Sequence, residues 1–140
     1  MSDESPSEAP CTCMTLRRAA RAVTSAYDAA LEPVGLRVTQ FSVLRTLKRL
    51  GAVPVTRLAL EAALDRSTMG RNLDPLERRG LVQVTVGASD QRERVAQITP
   101  AGRAAIEAAL PYWRAAQAEI AARIEPALAG ALAAAVQAPP

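Results

Sequence analysis

The side chains best suited to chemistry in this 140-residue chain are arginines, and their spacing is not random. From Asp65 to Val82 the sequence runs DRSTMGRNLDPLERRGLV. Met69, Leu73 and Leu76 share one helical face, while Ser67 and Arg71 lie opposite, with Arg66 and Gly70 beside them toward the N-terminal end. A guanidinium can hold guanine O6 and N7 through two parallel bonds, and Ser, Thr and Asn reach phosphates or base edges. A second pair, Arg92 and Arg94, follows the turn sequence Gly87-Ala88-Ser89-Asp90. The chemistry these groups can do is recognition of a polyanion that also carries readable edges.

Bond-breaking chemistry has little support. The chain has no histidine, which excludes a Ser-His-Asp triad, a Cys-His pair and a histidine-ligated metal centre. Its carboxylates are not clustered, so neither an enzyme, a metal site nor a cofactor is expected. Cys11 and Cys13 are the only cysteines. They neighbour Arg17 and Arg18 at the start of an expected helix, a setting that favours the reactive thiolate. A redox switch is one reading, through a bridge to a second subunit, because an i, i+2 disulfide is strained. Two passive thiols, or a soft-metal site shared across a dimer, are the alternatives.

Charge agrees with a polyanionic partner. Residues 45–103 carry eleven Lys and Arg against six Asp and Glu, whereas residues 1–10 hold only the acidic Asp3, Glu4 and Glu8. The net charge of +3 is thus concentrated around the arginine-bearing stretches. No run reaches the roughly 20 apolar residues of a membrane span, and the acidic N-terminus is unlike a signal peptide. A cytoplasmic protein without membrane contact is expected. Aromatic residues are few and alanine abundant, so the core should be aliphatic.

The elements that position these groups can be read in order. Residues 1–13 form a polar tail ending in the two cysteines, its first ten residues with the composition of a disordered segment. Met14 to Val34 keeps helical spacing through Leu16, Val23, Tyr27 and Leu31, and Pro33 and Gly35 end it. Thr39 is the expected N-cap of a second helix with Phe41, Leu44 and Leu47 inward, stopping at Gly51. Ala52-Val53-Pro54 is an extended connector. Thr56 to Leu64 is a short third helix, followed by a very tight turn into the arginine helix. Asp65 caps that helix and Gly80 stops it. Pro75 lies inside it and predicts a kink or local break near Arg71 to Asp74. Leu81–Val86 and Arg92–Ile98 alternate as two strands of a hairpin with Arg92 and Arg94 near its tip. Two short helices followed by a hairpin make a winged helix-turn-helix, the second helix suited to a major groove and the tip arginines to a minor groove or flanking phosphates.

Thr99-Pro100 opens a long helix to about Arg123, with Ile106, Leu110, Trp113, Gln117, Ile120 and Ile124 as a coiled-coil-like seam. Pro126 begins a last helix with Leu128, Leu132 and Val136 on one stripe. The fold class is therefore mainly α with a small β-hairpin wing. A DNA-binding unit at 37–99 is flanked by dimerisation helices at 14–36 and 100–140. A homodimer would place two readers on a palindromic site with half-sites about one helical turn apart. The alternative is a winged helix that docks protein and no DNA.

These residues resemble the MarR family of winged-helix regulators. The resemblance rests on Thr39-Gln40-Phe41-Ser42-Val43-Leu44, on Leu76-Glu77-Arg78-Arg79-Gly80-Leu81-Val82, and on Asp90-Gln91-Arg92 followed by Ile98-Thr99-Pro100-Ala101-Gly102. It implies a homodimeric transcriptional regulator, usually a repressor, released from double-stranded DNA by a small aromatic or phenolic ligand or by thiol oxidation. By position, Arg66, Ser67, Thr68, Arg71 and Asn72 would read the major groove, and Arg92, held by a salt bridge to Asp90, would enter the minor groove. Gly70 stands where many relatives carry a larger residue. The effector would lie where the dimer helices meet the winged helix, with Arg21, Tyr27, Arg45 and Trp113 as candidates. Tyr27 and Trp113 read equally as core or interface anchors.

Overall fold

The arginine helix is capped as its sequence requires. The Asp65 carboxylate accepts a hydrogen bond from the Thr68 N–H at 2.7 Å, and the helix runs over Arg66–Arg78. In the computed structural model, which describes residues 9–137, the elements are α1 (Thr12–Leu31), a 3-10 turn (Glu32–Val34), α2 (Val38–Leu50), β1 (Val53–Pro54), α3 (Val55–Glu61), α4 (Arg66–Arg78), β2 (Val82–Val86), β3 (Arg94–Ile98), α5 (Pro100–Arg123) and α6 (Pro126–Gln137). The protein is mainly helical with a small antiparallel sheet. Most of the tail expected over 1–13 lies outside the described residues. α1 begins at Thr12, so Cys13 is already helical and Cys11 is the N-cap residue.

Several expectations are corrected. Pro75 does not break α4. Met69 and Leu73 before it and Leu76 after it are buried in the same core, and that shared anchorage holds the helix continuous through Pro75. Thr39 is not the cap of α2. The cap residue is Arg37, two residues earlier, because Asp28 of α1 accepts the Val38 N–H at 2.8 Å, while the Gln40 side chain accepts the Arg37 N–H at 3.0 Å. α3 ends at Glu61, and its link to α4 passes through Ala63, whose φ of 54° is left-handed. The connector at Val53-Pro54 is a strand: it pairs with β3, giving a three-stranded sheet in the order β1-β3-β2 in place of a bare hairpin. The second strand of the wing begins at Arg94, leaving Arg92 in the loop.

The register pairs Val84 with Ala96 and Val53 with Ala96, so Ala96 is central and fully buried. The core gathers Phe41, Leu44 and Leu47 of α2, Leu58 of α3 and the three apolar residues of α4. Ile106 and Ala109 of α5 join them, as does Leu31, the one buried residue of α1. α5 is docked by its first turn. The Thr99 hydroxyl donates to the Gly80 carbonyl at 2.6 Å and accepts the Gly102 N–H at 3.0 Å. Further out, the chain ends have no such cover. α6 buries nothing, and Met14, Leu16, Leu128, Leu132 and Val136 are exposed. Of the expected α5 seam, Ile106 is buried and Gln117 is exposed.

Candidate nucleic-acid interface

The three buried residues of α4 fix its rotation, and with it the side turned to solvent. Arg66, Ser67 and Arg71 are exposed there, and Thr68 and Gly70 are half-buried beside them. Arg71 leans on Thr68, its Nη2 lying 3.4 Å from the hydroxyl. Asn72 behaves differently from its neighbours. Its Oδ1 accepts from the Thr39 hydroxyl at 2.8 Å and its Nδ2 donates to the Thr68 carbonyl at 2.8 Å. Both ends of the amide are thus engaged within the protein, tying the exposed half of α4 to the start of α2. Thr39→Val keeps the shape and removes the donor, leaving a half-buried acceptor unpaired. A loss of about 1 kcal/mol of stability is expected, together with weaker DNA binding. Thermal melting and a binding titration check the two effects.

The Thr68 N–H, then its hydroxyl and the Arg71 charge, hold the Asp65 carboxyl below the usual carboxylate range. A lowered native value stabilises the fold at any pH above the unfolded value of about 3.9, and that contribution is lost as pH falls through the native value. Asp65→Ala should therefore melt earlier than the wild type at pH 7, and the gap should narrow below about pH 4. Melting curves at pH 7 and pH 3 check this; a gap independent of pH would remove the charged cap from α4.

In the wing, Asp90 accepts the backbone N–H of Arg92 at 2.9 Å. The expected Asp90–Arg92 ion pair is not among the salt bridges of the described residues, which join Lys48 to Glu107, Arg49 to Glu61 and Arg123 to Glu119. Asp90 therefore shapes the loop and leaves the Arg92 side chain exposed. Glu77 ties the wing to α4 by accepting the Val84 N–H at 3.0 Å. Arg66 and Gly70 of α4 face Arg92 and Arg94 of the wing across a cleft of about 280 Å³. Thr56 of α3, not anticipated from the sequence, lines the same cleft. The arrangement is an exposed cationic helix face and a cationic loop on one side of the protein.

A second basic surface lies between α2 and α5. Arg45, Lys48, Arg49 and Arg114 border an open groove of about 680 Å³ over Ile106 and Leu110. The Arg45 guanidinium sits 4.8 Å from the ring centre of Trp113 and 5.6 Å from that of Phe41, within cation–π range. Of the four effector candidates only Arg45 lines this groove, with Trp113 behind it. Arg21 is exposed on α1, and Tyr27 donates its hydroxyl to Gln117. Burial pushes the Tyr27 phenol up, which keeps it a donor. Lys48, Arg49 and Arg114 were missed, although Arg45, Lys48 and Arg49 recur at helical spacing. Cys11 and Cys13 are free and exposed. No described helix is long and apolar enough to cross a membrane.

A helix-turn-helix whose second helix is exposed and basic, followed by a β-wing, defines a winged-helix DNA-binding protein. The sequence model of the MarR family matches residues 36–93. An HTH-type transcriptional repressor of Mycobacterium tuberculosis is 34% identical over 97 residues, covering 69% of this chain and 70% of the relative. The crystal structure of the M. tuberculosis transcriptional regulator MosR in complex with DNA superposes with a TM-score of 0.82 at 41% identity, covering 91% of this chain and 95% of that one. CouR from Rhodococcus jostii, solved with p-coumaroyl-CoA bound, gives a TM-score of 0.70 at 31% identity over 88% of this chain and 87% of its own. The chain belongs to the MarR family of transcriptional regulators.

Proposed function

We propose that this protein is a homodimeric repressor that binds a palindromic operator and leaves it on binding a small ligand or on thiol oxidation. One observation carries the reading. The cationic groups of α4 and the wing are on one side of a well-packed core, while the apolar residues of α1 and α6 are left bare at the chain ends. Apolar stripes on helices outside the core are what a second copy would cover. Residues 14–36 and 100–140 are then the dimerising parts and 37–99 the reader. Arg66, Ser67, Thr68 and Arg71 contact base edges and phosphates of the major groove. Arg92 and Arg94 lie along the minor groove, and Asn72 holds α4 in place through Thr39.

The groove under Arg45 and Arg114 is the better effector site than the Tyr27 and Arg21 region. Several cations over an aliphatic floor suit an aromatic carboxylate, with the ring on Ile106 and Leu110. The cysteines offer a separate trigger. Both are exposed at the start of a dimerising helix, so a bridge to the partner would reposition α1.

Fluorescence anisotropy against DNA flanking the protein's own gene, at moderate salt with nonspecific competitor, tests this function. Tight, saturable binding supports it. A change of affinity with reductant would assign the trigger to Cys11 and Cys13; no change would move the search to aromatic acids. Binding no tighter than to unrelated duplex would argue for an operator elsewhere or for a protein-docking role.

A further inference from the structure

Gly70 is a glycine without a reason inside the protein. It sits in the middle of α4, where glycine is the poorest helix former after proline. Its backbone is ordinary helix, and a Cβ built on it meets nothing within 4 Å. Gly35, Gly51 and Gly80 have positive φ, and Gly87 and Gly102 are crowded by neighbouring atoms. Gly130 alone shares the position of Gly70, and it lies on α6, which buries nothing. An unfavourable residue at an uncrowded site is accounted for by something that approaches from outside.

What approaches Gly70 is set by its surroundings. It lines the cleft together with Arg66, Arg92 and Arg94, and Thr56 and Glu93 belong to the same lining. Three guanidinium-bearing side chains against one carboxylate select an anion, and about 280 Å³ admits a phosphodiester with part of its sugar. We infer that this cleft seats one backbone phosphate of the bound DNA strand. Gly70 lets that strand come into contact with the α4 backbone. The inference rests on the DNA-binding function above and deepens it: Gly70 and Thr56 join the interface, and the contact couples α4 to the wing through a single strand.

The test is a pair of variants, Gly70→Ala and Gly70→Leu, titrated against the operator duplex and against an unrelated duplex. Both should fold, and Gly70→Ala should melt about 3 °C above the wild type, since alanine is the better helix former. Gly70→Ala should weaken binding about tenfold and Gly70→Leu more, by similar factors on both duplexes, because a phosphate carries no sequence. Replacing single phosphates by neutral methylphosphonates should identify one position per half-site that weakens the wild type and no longer weakens Gly70→Leu. Gly70→Leu binding within twofold of the wild type would overturn the inference. A loss confined to the operator would assign the contact to a base and overturn the phosphate. A wild type that binds neither duplex would sink the DNA-binding function, and this inference with it.

Discussion

Gly102→Ala is expected to lower the melting temperature by about 10 °C and to abolish tight DNA binding. A Cβ at this position would lie 2.1 Å from the Leu81 carbonyl oxygen and 2.7 Å from the Ile98 side chain. Ile98 could adopt another rotamer, but Leu81 is backbone. Its oxygen already accepts the Thr99 N–H at 3.1 Å, so it cannot turn away without breaking that bond. The first turn of α5 must therefore lift off the strand that follows α4. Overpacking of this kind costs about 1–3 kcal/mol, and the immovable acceptor puts Gly102 at the upper end. Lifting α5 also strains the Thr99 hydroxyl's bonds to Gly80 and Gly102, which join α4, the wing and the long helix. Calorimetry and a binding titration on the same preparation check both effects. A melting temperature within 2 °C of the wild type would mean that α5 is not seated on Leu81.

The second large effect is at Arg71. Arg71→Ala should weaken operator binding by about 1–3 kcal/mol and relax the base preference at one position of each half-site. Arg71 is exposed on the outward side of α4, one turn from the packed end, with its guanidinium held loosely by the Thr68 hydroxyl. Its contacts among the described residues are the exposed Thr68 hydroxyl and the charge of the Asp65 cap, so the variant should melt close to the wild type. Titration against duplexes substituted one base pair at a time distinguishes the roles. Equal loss on every duplex would make Arg71 a phosphate contact, and no loss would remove it from the reader.

The parts of the fold that were legible in the sequence are those set by local chemistry. Asp65, Met69, Leu73, Leu76 and Gly80 delimit α4 because a cap, a periodic face and a left-handed stop are encoded within one segment. Thr99 and Pro100 mark the start of α5 for the same reason. What was not legible depends on residues distant in sequence. The cap of α2 comes from Asp28 on another helix, so the nearby Thr39 was mistaken for it. Val53 and Pro54 are too short a segment to show alternation, and they become a strand only because β3 offers an edge. The break expected at Pro75 is overridden by burial on both sides of it. In the candidate site, the arginines announced themselves by type and spacing. Thr56 and Arg114 did not, because each reaches its cleft only through the packing of two elements. Asn72 matched a reading position, yet its amide is spent on Thr39 and Thr68.

The most direct test of a dimeric, sequence-reading regulator is selection of bound duplexes from a randomised library by the full chain, with Arg71→Ala run in parallel. The wild type should enrich a two-fold symmetric sequence whose half-sites are centred about 10 base pairs apart, and Arg71→Ala should lose preference at one symmetry-related pair of positions. A pool that remains random, with binding that only tracks salt, would contradict sequence-specific recognition. Enrichment of a single asymmetric half-site would contradict the dimer.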